Sequence, residues 1–199
     1  MEKGLKRQKE GMAFVAAIKE CQEASDPKLR RELIIKILSF DGWCMHYRDK
    51  NTERCVLSEN ETLQYTHEKR TAICLAQMNY DVVFAPTGLF KRNDKKFDVY
   101  LLRDTIILEA DLKCISTTLP DTVAKRIIGG SNQAARVVLD VRSAITASAL
   151  IDGLRSGTGK NDLIKEILLF YRSRFYRLPK KLIWSKRVFE ILKSEKGYT

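Results

Sequence analysis

The sequence has no hydrophobic run approaching the roughly 20 apolar residues that cross a membrane. The apolar stretch at residues 12–18 is followed at once by Lys19 and Glu20, without a small-residue cleavage site, so no secretory signal is expected. The five cysteines are an odd number and lack the spacing of a disulfide framework. These absences favour reduced thiols and a cytoplasmic location.

The composition is otherwise that of an ordinary globular protein, without repeats or low-complexity segments. Of 199 residues, 44% are apolar and 31% are charged, which is enough for a self-supporting core. The charge is unbalanced, because 36 Lys and Arg oppose 25 Asp and Glu and give a net charge of +11. Such an excess favours contact with a polyanion, either nucleic acid or an anionic membrane face.

The N-terminal part reads as helical. A loosely periodic segment covers residues 4–24, and Asp26 and Pro27 suit the cap and first position of a second helix that ends near residue 38. Residues 41–60 are polar and poorly periodic, which predicts a connector. We therefore expect a helical extension over residues 1–57 and a second domain over residues 58–199.

The second domain alternates helices with strands, which predicts an α/β fold. Its expected central order is a helix at 61–78, strands at 81–85, 97–102 and 105–115, a helix at 121–128 and a strand at 136–141. The expected C-terminal elements are helices at 143–155, 162–176 and 187–193, a Gly/Ser/Thr loop at 156–159 and a strand at 181–184.

Chemistry-bearing residues concentrate in the strand over residues 105–115. Side chains alternate along a strand, so Glu109, Asp111 and Lys113 share one face, opposite an apolar stripe. A hairpin would bring Asp98 opposite Glu109 with a two-residue loop, or opposite Asp111 with a three-residue loop. Either register puts three carboxylates near one another.

Clustered carboxylates repel unless a cation or a raised pKa neutralises them. Their hard oxygen atoms suit Mg²⁺ or Mn²⁺, and a lysine beside them can orient a water molecule or stabilise charge on a phosphate. Asp98, Asp111 and Lys113 thus form a candidate phosphodiesterase site. The alternative is a solvated hairpin face with cross-strand ion pairs.

Four segments carry a resemblance to a known family. They are residues 76–86 (AQMNYDVVFAP), residues 96–99 (KFDV), the pair Asp111 and Lys113, and residues 133–140 (QAARVVLD). With the order of elements, they resemble the PD-(D/E)XK nuclease superfamily, which has a restriction-endonuclease-like fold. More narrowly, they resemble the tRNA-nuclease domain of CdiA-type contact-dependent inhibition toxins.

The resemblance covers about residues 61–142 and implies metal-dependent phosphodiester hydrolysis. Asp98 matches the first acid, Asp111 the second and Lys113 the lysine, while Phe97 stands where the pattern has proline. Glu68 resembles the auxiliary acid that many members place on the preceding helix, and Gln133 resembles a glutamine that some carry at the end of the following helix. Either Glu68 or the additional acid Glu109 would complete the metal shell with Asp98 and Asp111.

The C-terminal residues 160–199 hold 11 Lys and Arg against 4 Asp and Glu. Aromatic residues are interleaved with the cations that we expect to contact nucleic acid, namely Arg172, Arg174, Arg177, Lys180 and Lys181. The same aromatic residues also fit the core stripe of a helix.

Two other motif candidates are set aside. Gly157–Lys160 lacks the remainder of a phosphate-binding loop. Cys44, His46, Cys55 and His67 match no standard zinc spacing and no Cys/His nucleophile signature.

Three functions are compatible with these patterns. The first is a Mg²⁺- or Mn²⁺-dependent nuclease that acts on RNA in preference to DNA, with tRNA as the substrate that the narrower resemblance implies. A toxin of this kind would act in the cytoplasm of a target cell and would have an immunity protein as partner. The second is a non-catalytic nucleic-acid-binding module of a mobile element or toxin system. The third is an interaction protein whose acidic hairpin is merely solvated.

Overall fold

A computed structural model describes residues 12–20, 27–59, 66–86, 97–103 and 106–194 of the chain. These residues form an α/β fold, as the sequence predicts. The chain divides into two compact units, unit 1 ending at Leu108 and unit 2 beginning at Glu109. Within the described ranges, no helix is both long and apolar enough to cross a membrane.

Unit 1 combines helices with a four-stranded sheet in the order β1-β2-β3-β4. Its elements are α1 (residues 12–20), α2 (Pro27–Leu38), β1 (Trp43–Arg48), β2 (Cys55–Glu59), α3 (Thr66–Gln77), β3 (Asp81–Phe84) and β4 (Val99–Arg103). Strands β2 and β3 are parallel, and the outer pairs are antiparallel. The predicted helices at 4–24 and 26–38 are confirmed over the described residues, whereas residues 1–11 and 21–26 lie outside them.

The end of α3 is set by Asn79, which adopts a left-handed conformation with φ of 68°. The Asn79 amide donates to the Ala76 carbonyl, and the Tyr80 amide donates to the Leu75 carbonyl, both at 3.1 Å. This pair of bonds is a Schellman motif, and asparagine tolerates the left-handed position better than most residues. The chain then enters β3 directly, with Asp81 as its first residue.

The prediction that residues 41–60 form an irregular connector is wrong. They contain β1 and β2, which form a hairpin, and β2 also pairs with β3. The register shifts between Met45 and Tyr47, and this bulge interrupts the apolar alternation that would have revealed β1. The expected domain boundary between residues 57 and 58 falls inside β2.

Strand β5 (Ile106–Ile115) begins in unit 1 and continues into unit 2. The further elements of unit 2 are α4 (Pro120–Ser131), β6 (Arg136–Val141), α5 (Ala147–Gly159), β7 (Glu166–Tyr171), β8 (Arg174–Pro179), α6 (Lys180–Ile183) and α7 (Arg187–Lys193). Strands β5, β6 and β7 are parallel, with α4 and α5 as the connections between them. Strand β8 returns antiparallel to β7. The predicted central elements are confirmed to within a few residues where the structure describes them, whereas residues 61–65 of the predicted helix and residue 105 of the predicted strand lie outside the described residues.

Helices α4 and α5 pack closely because α5 has glycines one turn apart. A Cβ atom on Gly153 would lie 2.7 Å from Val123 Cβ, and one on Gly157 would lie 2.8 Å from Ile127 Cβ. These glycines let the two helix backbones approach over a buried core that includes Leu150. The prediction of a loop at 156–159 is therefore wrong.

Two further C-terminal predictions are wrong. Residues 162–176 form most of the β7–β8 hairpin instead of a helix, and residues 181–184 belong to the α6 turn instead of a strand. Strand β7 reads Ile-Leu-Leu-Phe-Tyr over residues 167–171, a short apolar run that fits either structure. The terminal helix at 187–193 is confirmed.

Candidate active site and nucleic-acid interface

Asp111 and Lys113 form a close ion pair in the middle of β5. Lys113 Nζ lies 2.5 Å from Asp111 Oδ2, as alternation along the strand allows. The Asp111 side chain is fully buried, and that of Lys113 is 18% exposed. The sequence predicts a polar working face here, whereas Ala110, Asp111 and Leu112 are all buried, so both faces of β5 are covered at this point and Gly130 of α4 lies against Asp111. A buried carboxylate of this kind requires a compensating positive charge.

Gly130, near the end of α4, makes this burial possible. A Cβ atom at Gly130 would lie 2.7 Å from Asp111 Oδ2 and 2.8 Å from Val137 Cγ2. Any other side chain would displace the carboxylate or the strand beside it. The position of the Asp111 carboxylate is therefore fixed by a helix backbone as well as by its own strand.

Gln133 follows α4 and is half-buried. Its backbone amide donates to the Gly130 carbonyl at 2.9 Å. Gln133 therefore lies one turn along the chain from the glycine that contacts Asp111. Glu109 also belongs to unit 2, but its side chain is exposed on β5.

The two remaining predicted acids lie in unit 1. Asp98 is half-buried just before β4, and its carbonyl accepts the Ala85 amide at 2.9 Å. Glu68 is half-buried in the first turn of α3, with His67 Nε2 at 4.0 Å from its Oε1. Residues 104–105, which set the predicted hairpin register, lie outside the described residues. The convergence of Asp98 and Glu68 with Asp111 stays a prediction.

The donor chemistry fits a hard cation better than zinc. Among the described residues, no three His, Cys, Asp or Glu side chains are grouped so that they could hold a metal ion. Mg²⁺ is commonly held by one or two carboxylates together with water and substrate phosphate, so a complete protein cage is not required. Asp111 can supply one such carboxylate.

The cations that the sequence assigns to nucleic-acid contact differ in how far they are already engaged. Arg177 Nη2 lies 2.9 Å from the buried Glu166, whose other oxygen is 3.6 Å from Arg136. Lys180 pairs with Asp162 at 3.0 Å. Intramolecular ion pairs thus occupy Arg177 and Lys180.

The other cations lie closer to solvent. Arg174 donates to the Ser194 carbonyl at 2.8 Å, while Arg172 and Lys181 are exposed. Arg172 and Ser173 form the two-residue turn of the β7–β8 hairpin, with φ of 51° and 60°. The Arg172 guanidinium lies 5.0 Å from the centre of the Tyr171 ring. The best-placed cations of the predicted set are therefore Arg172 and Lys181.

The structure also brings together a thiol, an imidazole and a hydroxyl that the sequence pattern left separate. His46 Nε2 lies 3.3 Å from Cys44 Sγ and 2.6 Å from Ser58 Oγ. Cys44 and Ser58 are cross-strand partners, and the bulge in β1 lies between Met45 and Tyr47. None of the four described cysteines is in a disulfide, and burial raises the pKa of the Cys55 thiol.

A second buried carboxylate, Asp81, organises unit 1. Its Oδ2 accepts from Arg30 at 3.1 Å and Arg54 at 3.0 Å, and its Oδ1 accepts the Cys55 amide at 2.9 Å. Arg54 also donates to Asn79 at 2.7 Å. This network joins α2, β2 and β3, which identifies Asp81 as a structural residue. Spacing alone could not show it, since Arg30 is 51 residues away.

Comparisons of the chain with protein-family models, with curated proteins and with solved structures find no match. The family resemblance therefore stays a prediction from the residues that carry it.

Proposed function

We propose that this chain is a divalent-metal-dependent nuclease with a restriction-endonuclease-like core. The observation that carries the proposal is the buried Asp111 carboxylate in contact with Lys113 on β5. The order α3, β3, β4, β5, α4, β6 supports it, because this is the order of elements expected from the PD-(D/E)XK resemblance.

The cost of burying Asp111 favours a functional reading. Removing a carboxylate from water costs several kcal/mol, of the order of what a well-placed counter-ion returns, and an apolar residue would serve a core strand at least as well. Asp111 also requires glycine at position 130. A site that keeps an acid under these constraints is a good candidate for chemistry.

In the proposed reaction, Asp111 and Asp98 would hold Mg²⁺ or Mn²⁺, and Glu68 or Glu109 would assist. The bound cation would polarise the scissile phosphate and lower the pKa of an attacking water. Lys113 orients that water or stabilises the charge that develops on the phosphate. Gln133, after α4, would help to position the substrate. RNA is the favoured substrate because the narrower resemblance is to tRNA nucleases.

One observation favours a second candidate, a nucleic-acid-binding module without hydrolysis. Lys113 already neutralises Asp111, so the buried charge is compensated without a metal ion. In that case the Asp111–Lys113 pair is structural, and exposed cations such as Arg172 and Lys181 bind nucleic acid without hydrolysis.

Cleavage assays on the full chain separate the two candidates. Total RNA and plasmid DNA are incubated with Mg²⁺, with Mn²⁺ or with chelator, and the products are resolved on gels. Metal-dependent RNA cleavage that Asp111→Asn and Lys113→Met each reduce by at least about 100-fold supports the nuclease. Salt-sensitive binding without any metal-dependent product supports the binding module.

Glu166→Gln is the matched control. Glu166 is also buried, ion-paired and in unit 2, but it lies outside the proposed site. Thermal melts followed by circular dichroism check that each variant is folded. If folded Asp111→Asn and Lys113→Met proteins both cleave at the wild-type rate, the proposed site is wrong.

A further inference from the structure

We propose that Trp184 is a base-stacking platform for single-stranded nucleic acid. This proposal rests on the nucleic-acid binding of the proposed function but not on hydrolysis. Trp184 ends α6 and is 54% exposed, although tryptophan is mostly buried in folded proteins. Single exposed aromatic residues are common, so exposure alone would carry nothing. Trp184 is distinguished by how its ring is held and by what surrounds it.

The ring is fixed by two contacts with α5. Its Nε1–H donates to Thr158 Oγ1 at 3.2 Å, and Thr158 is fully buried. The ring also lies against Gly159, where a Cβ atom would be 3.0 Å from Trp184 Cζ2. One part of the indole is therefore anchored to the helix while more than half of the residue stays in solvent.

The backbone on both sides of Trp184 is held as well. Arg155, on α5, donates through Nε to the Ile183 carbonyl and through Nη2 to the Ser185 carbonyl, each at 3.1 Å. These carbonyls flank Trp184 directly. A rigid aromatic group loses little conformational entropy when it binds, so such a clamp favours recognition.

The local charge matches a polyanion. Lys160 caps α5 next to Gly159, and Lys181, Lys186 and Arg187 lie within three residues of Trp184 along the chain. All four are exposed. Cations around an exposed aromatic ring are the usual combination for single strands, because phosphates bind the cations while unpaired bases stack on the ring.

Fluorescence tests the platform directly. The chain has two tryptophans, and Trp43 stacks on Phe14 in unit 1, so Trp43→Phe leaves Trp184 as the single reporter. The full-length variant is titrated, in chelator so that no cleavage occurs, with a 12-nucleotide uridine RNA and with an abasic phosphodiester oligomer of the same length. We expect both to bind, and only the RNA to quench Trp184 emission.

Affinities of position-184 variants complete the test. Trp184→Leu, which keeps an apolar side chain, is expected to weaken RNA binding about fivefold to a hundredfold and abasic-oligomer binding less than about threefold. Trp184→Phe, which keeps a ring, is expected to restore most of the loss. Melting temperatures of the variants show whether the α5–α6 contact survives.

The outcomes are distinguishable from those of the cleavage assay. Absence of quenching together with wild-type affinity of Trp184→Leu overturns the platform, even if RNA is cleaved. Failure of both oligomers to bind overturns it as well. Base-dependent quenching without any metal-dependent cleavage keeps the platform and removes the nuclease.

Discussion

At the scale of single residues, two adjacent glycines in α4 offer a matched test of how tightly Asp111 is packed. A Cβ atom at Gly130 would lie 2.7 Å from Asp111 Oδ2, whereas one at Gly129 would have nothing within 4 Å. Gly130→Ala is expected to lower the free energy of unfolding by about 1–3 kcal/mol through overpacking. Gly129→Ala is expected to raise it by about 0.5–1 kcal/mol through helix propensity.

Urea unfolding of both variants at neutral pH measures the difference. Both substitutions add one methyl group to the same helix, so propensity affects them equally. If Gly130→Ala stabilises the protein as much as Gly129→Ala does, the inference that α4 lies closely against Asp111 is wrong.

Asp49 links stability to pH at the β1–β2 turn. Its carboxylate accepts the amides of Thr52 at 2.8 Å and Asn51 at 3.0 Å and the Tyr47 hydroxyl at 2.8 Å. These donors, the Thr52 amide first, hold the pKa of Asp49 below its usual value of about 4. Because the folded-state pKa is lower than the unfolded one, this stabilisation is present above about pH 4 and is lost as the pH falls through the folded pKa.

Thermal midpoints measured between pH 2.5 and pH 7 test this linkage. Asp49→Asn is expected to melt at a lower temperature than wild type at pH 7, with the difference shrinking toward pH 2.5. Tyr47→Phe removes one donor to the ionised carboxylate, so its thermal midpoint at pH 7 is expected to lie between those of wild type and Asp49→Asn. If the thermal midpoints of wild type and Asp49→Asn differ by the same amount at every pH, the lowered pKa of Asp49 is contradicted.

At the scale of an element, the turn of the β7–β8 hairpin carries local strain. Both turn residues have positive φ, as a type I′ turn requires, but neither is glycine or asparagine. Ser173→Gly is expected to raise the free energy of unfolding by about 0.5–1 kcal/mol, since glycine adopts this conformation without a steric penalty. Ser156→Gly, at an exposed position inside α5, is expected to lower it by about 0.5 kcal/mol. Changes of opposite sign in the free energy of unfolding, measured by chemical denaturation, would confirm the left-handed conformation of the turn. Destabilisation by both variants would refute it.

The same hairpin lies where the apolar spacing wrongly predicts a helix. Five apolar residues are spaced as on one side of a helix, yet the structure buries all of them in or beside the paired strands β7 and β8. They are Ile164, Ile167, Leu168, Tyr171 and Phe175. Periodicity over so short an apolar run is ambiguous, and the partner strand β6 resolves it through its register with β7. The decision belongs to tertiary pairing and not to local preference.

At the scale of the whole molecule, the charge of +11 predicts that any nucleic-acid binding is strongly dependent on salt. If Arg172, Lys181, Lys186 and Arg187 each contact one phosphate of a single strand, the logarithm of the affinity falls with a slope of about −3 against the logarithm of salt concentration. Raising KCl from 50 to 200 mM would then weaken binding about 50-fold.

Fluorescence anisotropy with labelled RNA in chelator measures this slope. Lys181→Gln and Lys186→Gln are expected to make it shallower by about 0.7 each. Lys180→Gln is the matched control, because Lys180 is paired with Asp162, and it is expected to change the slope less. An affinity independent of salt would contradict a phosphate-binding surface.

The sequence by itself determined the α/β class and the central elements from α3 to β6, because long apolar stripes, a capping turn at Asn79 and a continuous strand run such as Val137–Leu139 act locally. It also put Asp111 and Lys113 on one side of β5, since that follows from the pleat alone. It missed β1, β2 and the β7–β8 hairpin. Short strands gain their stability from partners that are distant in sequence.

Only the tertiary structure decided which polar groups are buried and with whom. Asp111 is fully buried because Gly130 lets α4 approach it, Asp81 is matched by Arg30 from 51 residues away, and Trp184 is held in solvent by Arg155 and Thr158. These contacts join residues from separate elements, and the burial of a charge depends on everything packed around it. A local sequence pattern therefore cannot show which charges are buried.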